Sequence, residues 1–326
     1  MNCETLDWAI LERLRAGFLG GAAAQGPYWQ SPADLANYDV TYAERIGWKW
    51  DSVLAELTRR GWRPRTRTIL DWGCGSGVAG RRVLSAFGAE NFDALHVWDH
   101  SQLARDFAGE RARAEFPALT VSAFADSGQP IGLLVVSHVL NELPPEALAQ
   151  LLALVARAEA VLWVEPGNHV VSRQLIGIRE TLTSAFHIVA PCPHQGVCGL
   201  LAAGNERHWC HFFAEPPSGV QNDSDWVRFG HRAGVDLRSQ AYSYLVLEKK
   251  PVTSPLADGA ARILGRAEHF KGYARILSCE ATGVASLELQ KRADSDLCKA
   301  LKKDSSQPLY RWTRDERGRI TAAERL

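Results

Sequence analysis

The sequence predicts an α/β protein. A doubly wound, Rossmann-like sheet follows an N-terminal helical region, carries a Cys-rich insertion, and ends in a small basic C-terminal segment with β character. Three observations carry this reading. Short apolar runs alternate with helical stretches from Thr68 onward, as βαβ units around a parallel sheet do. A glycine loop from Asp71 to Gly77 joins the first such strand to the first such helix. The rhythm then fails between Ile188 and Phe213, where cysteines and histidines take its place.

Each element has its own warrant. Leu6, Ile10, Leu11 and Leu14 recur at helical spacing until Gly20-Gly21 breaks the pattern. Ser31-Pro32 and Asn37-Tyr38-Asp39 read as a loop. A second helix is expected over about Tyr42–Arg60, with Ile46, Val53, Leu54 and Leu57 on its buried side. Strands are expected at Thr68–Trp72, His96–Asp99, Leu133–Ser137 and Ala160–Glu165, and helices at Val78–Phe87, Gln102–Glu115, Pro145–Arg157 and Val171–Ala185. Val227–Ala233 reads as a further helix and Tyr242–Glu248 as a returning strand. Beyond Pro251, Ala261–Ala267, Tyr273–Cys279 and Ser286–Leu289 have strand character, and Leu297-Cys298-Lys299 lies in a helical pattern. The expected organisation is a helical region over 1–60, an α/β domain over 61–248 with its insertion at 186–215, and a basic segment over 249–326.

The 326 residues balance 37 Lys+Arg against 37 Asp+Glu, with 46% hydrophobic residues. This is an ordinary globular composition and excludes a disordered or collagen-like chain. The zero net charge is a cancellation. Residues 249–326 carry 16 Lys+Arg and 10 Asp+Glu, a net +6, which leaves −6 on residues 1–248. No apolar run approaches the ~18–20 uncharged residues of a membrane helix. Glu4, Asp7 and Glu12 interrupt the start too early for a targeting peptide. These features predict a cytoplasmic, bacterial protein with no membrane partner. Its seven cysteines are an odd number spread over a long chain, which in a reducing compartment points to thiols or metal ligands rather than disulfides.

The loop Asp71-Trp-Gly73-Cys-Gly75-Ser-Gly77 follows a strand and opens a helix, the context in which glycines let a ligand approach backbone N–H groups. An acidic residue at its start repels a pyrophosphate and suits an ammonium group. From Gly73 the sixth position is Val78, so the G-x-G-x-x-G of dinucleotide sites is absent. Asp99 ends the second strand, 28 residues after Asp71, where a carboxylate can accept ribose hydroxyls. Asp71, Gly73, Gly75, Gly77 and Asp99 together resemble the class I S-adenosylmethionine-dependent methyltransferase pattern, and the resemblance implies that cofactor.

After the fourth strand, where such enzymes often place their chemistry, stands Ser137-His138-Val-Leu-Asn141-Glu142-Leu-Pro144-Pro145. It has neither the Asn/Asp-Pro-Pro-aromatic run of amino-methylating enzymes nor the Pro-Cys of cytosine-5 enzymes. His138, Asn141 and Glu142 are the catalytic candidates. Against that, Asn141 and Pro144 could shape a turn and Glu142 could cap the next helix. Glu165-Pro-Gly167 is placed to line the mouth of the same pocket.

Pro191-Cys192-Pro193-His194-x₃-Cys198 precedes His208-Trp209-Cys210-His211-Phe212. The spacing is not that of a zinc knuckle. A fourth sulfur would come from Cys3, Cys74, Cys279 or Cys298. Sulfur-only ligation suits an iron–sulfur cluster, histidine participation suits zinc, and a Cys- and His-rich loop without metal is the third reading. Cys192 as a cytosine-5 nucleophile is a weaker reading, since Cys198 and Cys210 surround it with other thiols.

In this order, Asp-x-Gly-x-Gly-x-Gly, Ser-His-Val-Leu-Asn-Glu-Leu, Val-Glu-Pro-Gly, Ala-Pro-Cys-Pro-His-x₃-Cys, His-Trp-Cys-His-Phe and Tyr-Ser-Tyr-Leu-Val resemble the mitochondrial ribosomal small-subunit Rsm22 family. That family has bacterial members and an animal branch, methyltransferase-like protein seventeen. The resemblance runs from about Tyr42 to Lys303. It implies a methyltransferase fold, association with the small ribosomal subunit and its rRNA, and a four-iron–four-sulfur cluster. Its ligands would be Cys192, Cys198, Cys210 and Cys279, the last carried by Lys271-Gly-Tyr-Ala-Arg-Ile-Leu-Ser-Cys279. Gly199 departs from the proline usual in the family after the second cysteine.

In the basic segment, Lys291-Arg292, Lys299, Lys302-Lys303 and Arg311 to Arg319 supply spaced positive charge, with Tyr310 and Trp312 between arginines. Phosphate attraction and base stacking are the expected uses, with an ordinary solvated face and a disordered end as the alternative. The expected function is a ribosome-assembly or translation factor that binds S-adenosylmethionine and a cluster. The alternatives are an active rRNA methyltransferase or a zinc-binding RNA-binding protein. No DNA partner is expected.

Overall fold

The computed structural model describes residues 1–20, 28–251, 256, 258–302 and 309–326; Lys303 of the basic segment lies outside them. The chain forms two compact units, residues 1–165 with 214–240, and residues 166–213 with 241–326.

The first unit opens with α1 (Trp8–Gly20), α2 (Pro32–Asp39) and α3 (Tyr42–Arg59). Sequence reading expected a loop where α2 stands. Pro32 occupies its first turn, where a missing N–H costs nothing, and Leu35 is fully buried. Packing thus overrides the weak helix propensity of Asn37 and Asp39. On α3, Val53, Leu54 and Leu57 are buried as expected and Ile46 is half-buried, while Trp48 and Trp50 also enter the core.

The βα series follows: β1 (Thr68–Trp72), α4 (Val78–Phe87), β2 (Ala94–Trp98), α5 (Gln102–Glu115), β3 (Thr120–Ala123), β4 (Ile131–Ser137), α6 (Pro145–Arg157) and β5 (Ala158–Pro166). These strands pair in parallel in the order β3-β2-β1-β4-β5. Leu133–Val136 on β4 and Val161–Val164 on β5 are fully buried, because helices cover both faces of a parallel sheet. Strand order reverses between β1 and β4. Crossovers leave these two strands in opposite directions, which opens a crevice at their carboxyl ends.

The chain then enters the second unit with α7 (His169–Leu182), β6 (His187–Ala190) and β7 (Phe212–Ala214), and returns to the first with α8 (Ser224–Ala233). Back in the second unit, β8 (Gln240–Glu248) pairs antiparallel with β6 and also pairs with β7. Next come β9 (Ala260–His269), β10 (Tyr273–Glu280), β11 (Gly283–Gln290), α9 (Ser295–Lys302), β12 (Leu309–Arg314) and β13 (Ile320–Arg325). These five strands close into a barrel of order β10-β11-β13-β12-β9. Its core holds Ile263, Ala274, Ile276, Leu287, Leu289, Tyr310 and Ile320, with Leu297, Cys298 and Leu301 of α9 packed into it. Closure leaves no open strand edge.

β12 and β13 were not foreseen, and they change the reading of the basic segment. Tyr310 is buried and stacks on Trp312 at 4.8 Å, and Trp312 donates from Nε1 to Ser278 Oγ at 2.9 Å. The expected base-stacking pair is therefore spent on the barrel core. Arg311 pairs with Glu324, Arg314 with Glu280 and Arg319 with Asp315, so part of the expected phosphate-binding charge is neutralised within the barrel. Among the described residues no helix is long and apolar enough to cross a membrane.

Gly132 on β4 tests the β1–β4 packing. A Cβ there would lie 2.5 Å from the Thr68 carbonyl oxygen and against two threonine hydroxyls. Gly132→Ala is expected to cost about 1–3 kcal/mol by denaturant unfolding. Gly177→Ala on the exposed face of α7 meets nothing within 4 Å, and is expected to gain about 0.4–1 kcal/mol.

Candidate functional site

In the first unit the crevice at the ends of β1 and β4 gathers the glycine loop and the candidate acids. Gly73, Gly75 and Gly77 lie at φ 70°, 51° and 77°, where a side chain is strained. The Gly73 and Cys74 N–H groups bond the Trp98 carbonyl at 2.8 and 3.0 Å, which pins the loop to the end of β2. A Cβ at Gly73 would collide with Val139 at 2.7 Å, whereas one at Gly75 would meet nothing within 4 Å. Open space is thus kept at Gly75, whose N–H donates to Asp99 Oδ2 at 3.1 Å.

Asp71 is fully buried, and its Oδ2 accepts from the Gly80 N–H at 3.0 Å. Burial pushes its carboxyl up to about 7. Its Oδ1, and the Ser76 hydroxyl in the same loop, are buried without a hydrogen-bond partner. Such orphaned acceptors are costly unless a ligand or water meets them. Asp99 is also buried, and burial raises its pKa against the pull of the Ser101 and Gly75 N–H groups. Each of its oxygens takes one backbone N–H, and a carboxylate oxygen has a second lone pair for a hydroxyl. These acceptors fit an ammonium and a pair of ribose hydroxyls.

His138 follows β4 with φ 57°, the one non-glycine residue at positive φ among those described. Its Nε2 lies 3.1 Å from Lys49 Nζ, and its Nδ1 lies 3.3 Å from Ser137 Oγ, which accepts from Trp50 Nε1 at 2.9 Å. Burial, then the Lys49 charge, hold His138 well below its ordinary pKa. Burial likewise pulls Lys49 down to about 7. Glu165 Oε1 accepts from Val139 N and Leu140 N at 3.2 Å and from Trp163 Nε1 at 2.7 Å, while Oε2 has no partner. Burial lifts Glu165 to about 7.

Burial lifts Glu142 to about 8, helped by Glu165 and Asp99. Burial and the carboxylates of Glu142 and Asp99 also raise the phenols of Tyr28 and Tyr38. Asn141 is exposed, and no side chain caps α6. His138 and Glu142 therefore belong to one group of half-buried titrating side chains around the buried Glu165, and Asn141 stands outside it. Sequence reasoning missed Lys49, Tyr28 and Tyr38. Lys49 sits between Trp48 and Trp50 on α3, and a lysine flanked by core tryptophans was the available signal.

The second unit brings Cys192, Cys198, Cys210 and Cys279 within electrostatic reach of one another. Burial first, and then the neighbouring sulfurs, push Cys198 up to about 11 and raise Cys210 and Cys279 further. Arg179, buried on α7, hydrogen-bonds Cys192 and, through Nη2, the Gly196 carbonyl at 2.7 Å. Arg262 is 1% exposed, stands opposite Cys279 in the β9–β10 register and lies over the Phe212 ring at 5.1 Å.

His194 Nε2 is 3.8 Å from Cys279 Sγ. Cys298 is in the barrel core, and Cys3 and Cys74 belong to the first unit. Among the described residues no group of three or more His, Cys, Asp or Glu side chains is arranged to hold a metal ion. The expected zinc or iron–sulfur site is thus not established by these contacts. The donors present are four thiols beside two buried guanidinium groups.

The family model described as mitochondrial small ribosomal subunit Rsm22 matches residues 51–306. No curated protein matches the chain. Among solved structures it is similar to the 16S rRNA methylase RmtB, with 14% identity, TM-score 0.38, and coverage of 75% of this chain and 76% of that one. It is also similar to an rRNA methylase from Escherichia coli (18%, TM-score 0.35, 57% and 71%). A third is TrmK of M. capricolum, solved with S-adenosyl-homocysteine (9%, TM-score 0.34, 60% and 67%).

Glu165 gives the crevice a pH signature. Its carboxyl titrates at 4.5 when unperturbed and at about 7 in the fold, so between those values the unfolded chain releases a proton that the folded one keeps. Stability therefore falls as pH rises from about 4.5 to 7, by an amount of order 1–3 kcal/mol. Glu165→Gln is expected to remove that part of the slope in denaturant unfolding followed from pH 5 to pH 8. An unchanged slope would mean that Glu165 ionises normally.

Proposed function

The chain belongs to the mitochondrial small ribosomal subunit Rsm22 family, and from that premise we propose that it is an S-adenosylmethionine-binding factor of the small ribosomal subunit. The observation that carries the cofactor is the pairing of orphaned Asp71 Oδ1 with the open, positive-φ cradle at Gly75 beside Asp99. Asp71 and the loop would take the ammonium end, and Asp99 the ribose. When bound, S-adenosylmethionine supplies an electrophilic methyl group. Free thiols at all seven cysteines suit a reducing cytoplasm.

We further propose that Cys192, Cys198, Cys210 and Cys279 hold an iron–sulfur cluster. The donor set is four thiols drawn from two distant stretches of the chain, and sulfur-only ligation is the chemistry of a cluster, whose several irons share the thiolates. Cationic irons would relieve the mutual repulsion of four thiolates, two of them buried and two half-buried, and Arg179 and Arg262 would offset the charge that remains.

A second reading, active rRNA methylation, is favoured by Lys49. Methyl transfer to a protonated nitrogen or oxygen nucleophile releases a proton. A lysine that titrates near 7 and touches His138 is poised to take it.

Calorimetric titration with S-adenosylmethionine tests the first reading. Asp99→Ala is expected to weaken binding roughly 10- to 100-fold; unchanged affinity would remove the pocket. Anaerobic purification with iron and sulfide analysis tests the cluster, with loss of iron expected in Cys279→Ser, and a colourless protein with stoichiometric zinc would exclude it. Methylation mapping in a deletion strain complemented with Lys49→Met tests catalysis. Full methylation there would count against the proton-acceptor role.

A further inference from the structure

The barrel of the second unit has a recognisable topology. Numbered within the barrel, its strands run first-second-third-fifth-fourth and close on the first, with the third and fifth parallel and a helix between the third and fourth. This is the layout of the oligonucleotide/oligosaccharide-binding fold, whose ligands lie across the second and third strands and the loops at their ends.

The outward face of β9, β10 and β11 divides in two. On β10, Ala274, Ile276 and Ser278 are buried and point inward, so Tyr273, Arg275, Leu277 and Cys279 point outward. The cysteine-bearing segment covers the Cys279 end. Gly199 sits against Gly283 and Val284 of β11, with no room for a Cβ. Phe212 lies under Arg262, and the His211 carbonyl accepts from Gly265 N at 2.9 Å.

The opposite end is uncovered. There Phe270, in the β9–β10 hairpin, is 43% exposed and is the single exposed Phe, Tyr or Trp among the described residues. It stacks on Tyr273 with centroids 4.6 Å apart and planes at 13°, and the Arg275 guanidinium lies 5.0 Å from its ring centre. Exposed Lys271 is in the same hairpin. Exposed Arg266, on β9, lies over Phe213 at 4.0 Å. Glu268, paired with Arg275 at 3.3 Å, and Glu288, opposite Arg275 in the β10–β11 register, are the acidic members of this group.

We propose that this uncovered end of the barrel face, built on Phe270, Tyr273 and Arg275 with Lys271 and Arg266 beside it, binds single-stranded RNA. The proposal rests on the ribosomal reading above and gives it a site. A ring held flat and exposed by a second ring is a stacking platform, and only an unpaired base can lie on it. Arg275 at the ring, Lys271 in the hairpin and Arg266 further along β9 outnumber Glu268 and Glu288 on this face, and such charge follows a phosphate backbone without regard to sequence. This differs from the expected stack of Tyr310 and Trp312, which lies inside the barrel.

The test uses the full chain, purified anaerobically, and fluorescence anisotropy with a labelled pyrimidine oligoribonucleotide of about twelve nucleotides, single-stranded or in duplex. Single-strand binding is expected to exceed duplex binding. Phe270→Ala and Tyr273→Ala should each weaken it roughly 5- to 150-fold, and Phe270→Trp should restore it. Arg275→Gln should lower the salt slope by about 0.7.

S-adenosylmethionine affinity and the unfolding midpoint, measured on the same preparations, should not move. Wild-type affinity in both alanine variants, or equal affinity for duplex, overturns the proposal alone. A wild-type chain that binds no RNA while still binding S-adenosylmethionine overturns it together with the RNA partner. Unchanged oligonucleotide binding with lost association to purified small subunits would make this a protein-docking face and overturn it as well.

Discussion

The fold's functional half depends on one arrangement: β1 is enclosed by β2 on one side and β4 on the other, with Asp71 buried at its end. β4 is apolar and buried from Leu133 to Val136 and β1 at Ile69 and Leu70, which confines the carboxyls to their carboxyl ends, while β2 carries the half-buried His96 in mid-strand, bonded to Ser122 Oγ. Asp71 spends one oxygen on the Gly80 N–H and so joins β1 to the first turn of α4. That bond requires the loop between them to turn tightly, which Gly73, Gly75 and Gly77 allow at positive φ. The Asp99 contact at Gly75 then follows from the β1–β2 register, in which Trp72 lies beside Trp98.

Confinement also sets the electrostatics. Asp71, Asp99, Glu142 and Glu165 are carboxyls in one low-dielectric rim, and burial is the largest cause of the upward shift of each. Lys49 and His138 shift down for the same reason. Groups that would differ by several pKa units in water are thereby drawn toward neutrality. A bound cation would reverse part of this, since it rewards ionised Asp71 and Asp99. The strained φ of His138 belongs to the same economy. The turn after β4 aims the imidazole at α3 and turns the Val139 and Leu140 N–H groups onto Glu165.

Much of this was legible in the sequence where chemistry and local pattern coincide. The glycine loop, Asp99 and the alternating strands are short-range signals, and they lie where periodicity puts them. The clustering of Cys192, Cys198 and Cys210 could be read from proximity along the chain, whereas their approach to Cys279 came from the resemblance. What stayed hidden depends on distant packing. Lys49 is 89 residues from His138, and α2 forms because Leu35 is buried, not because Asn37 or Asp39 favour a helix. Tyr310 and Trp312 misled because an aromatic between arginines looks the same in a strand that faces a core and in one that faces a nucleic acid. Burial alone separates the two, and along β12 burial fades from Leu309 to Arg314 without alternating.

The second unit repeats the principle in another form. A small barrel has one broad face for ligands, and here the cysteine segment occupies half of it. Cys279 and Arg262 point outward from adjacent strands, so they serve the covering segment and not the barrel core. Leu289 and Ile320 fill that core whether or not the thiols carry metal. The covering segment is also held without the thiols, because the His211 carbonyl takes the Gly265 N–H, Gly199 lies against Gly283 and Val284, and Phe213 lies beneath Arg266. Those contacts belong to the covered half, and the stack of Phe270 on Tyr273 is made without them.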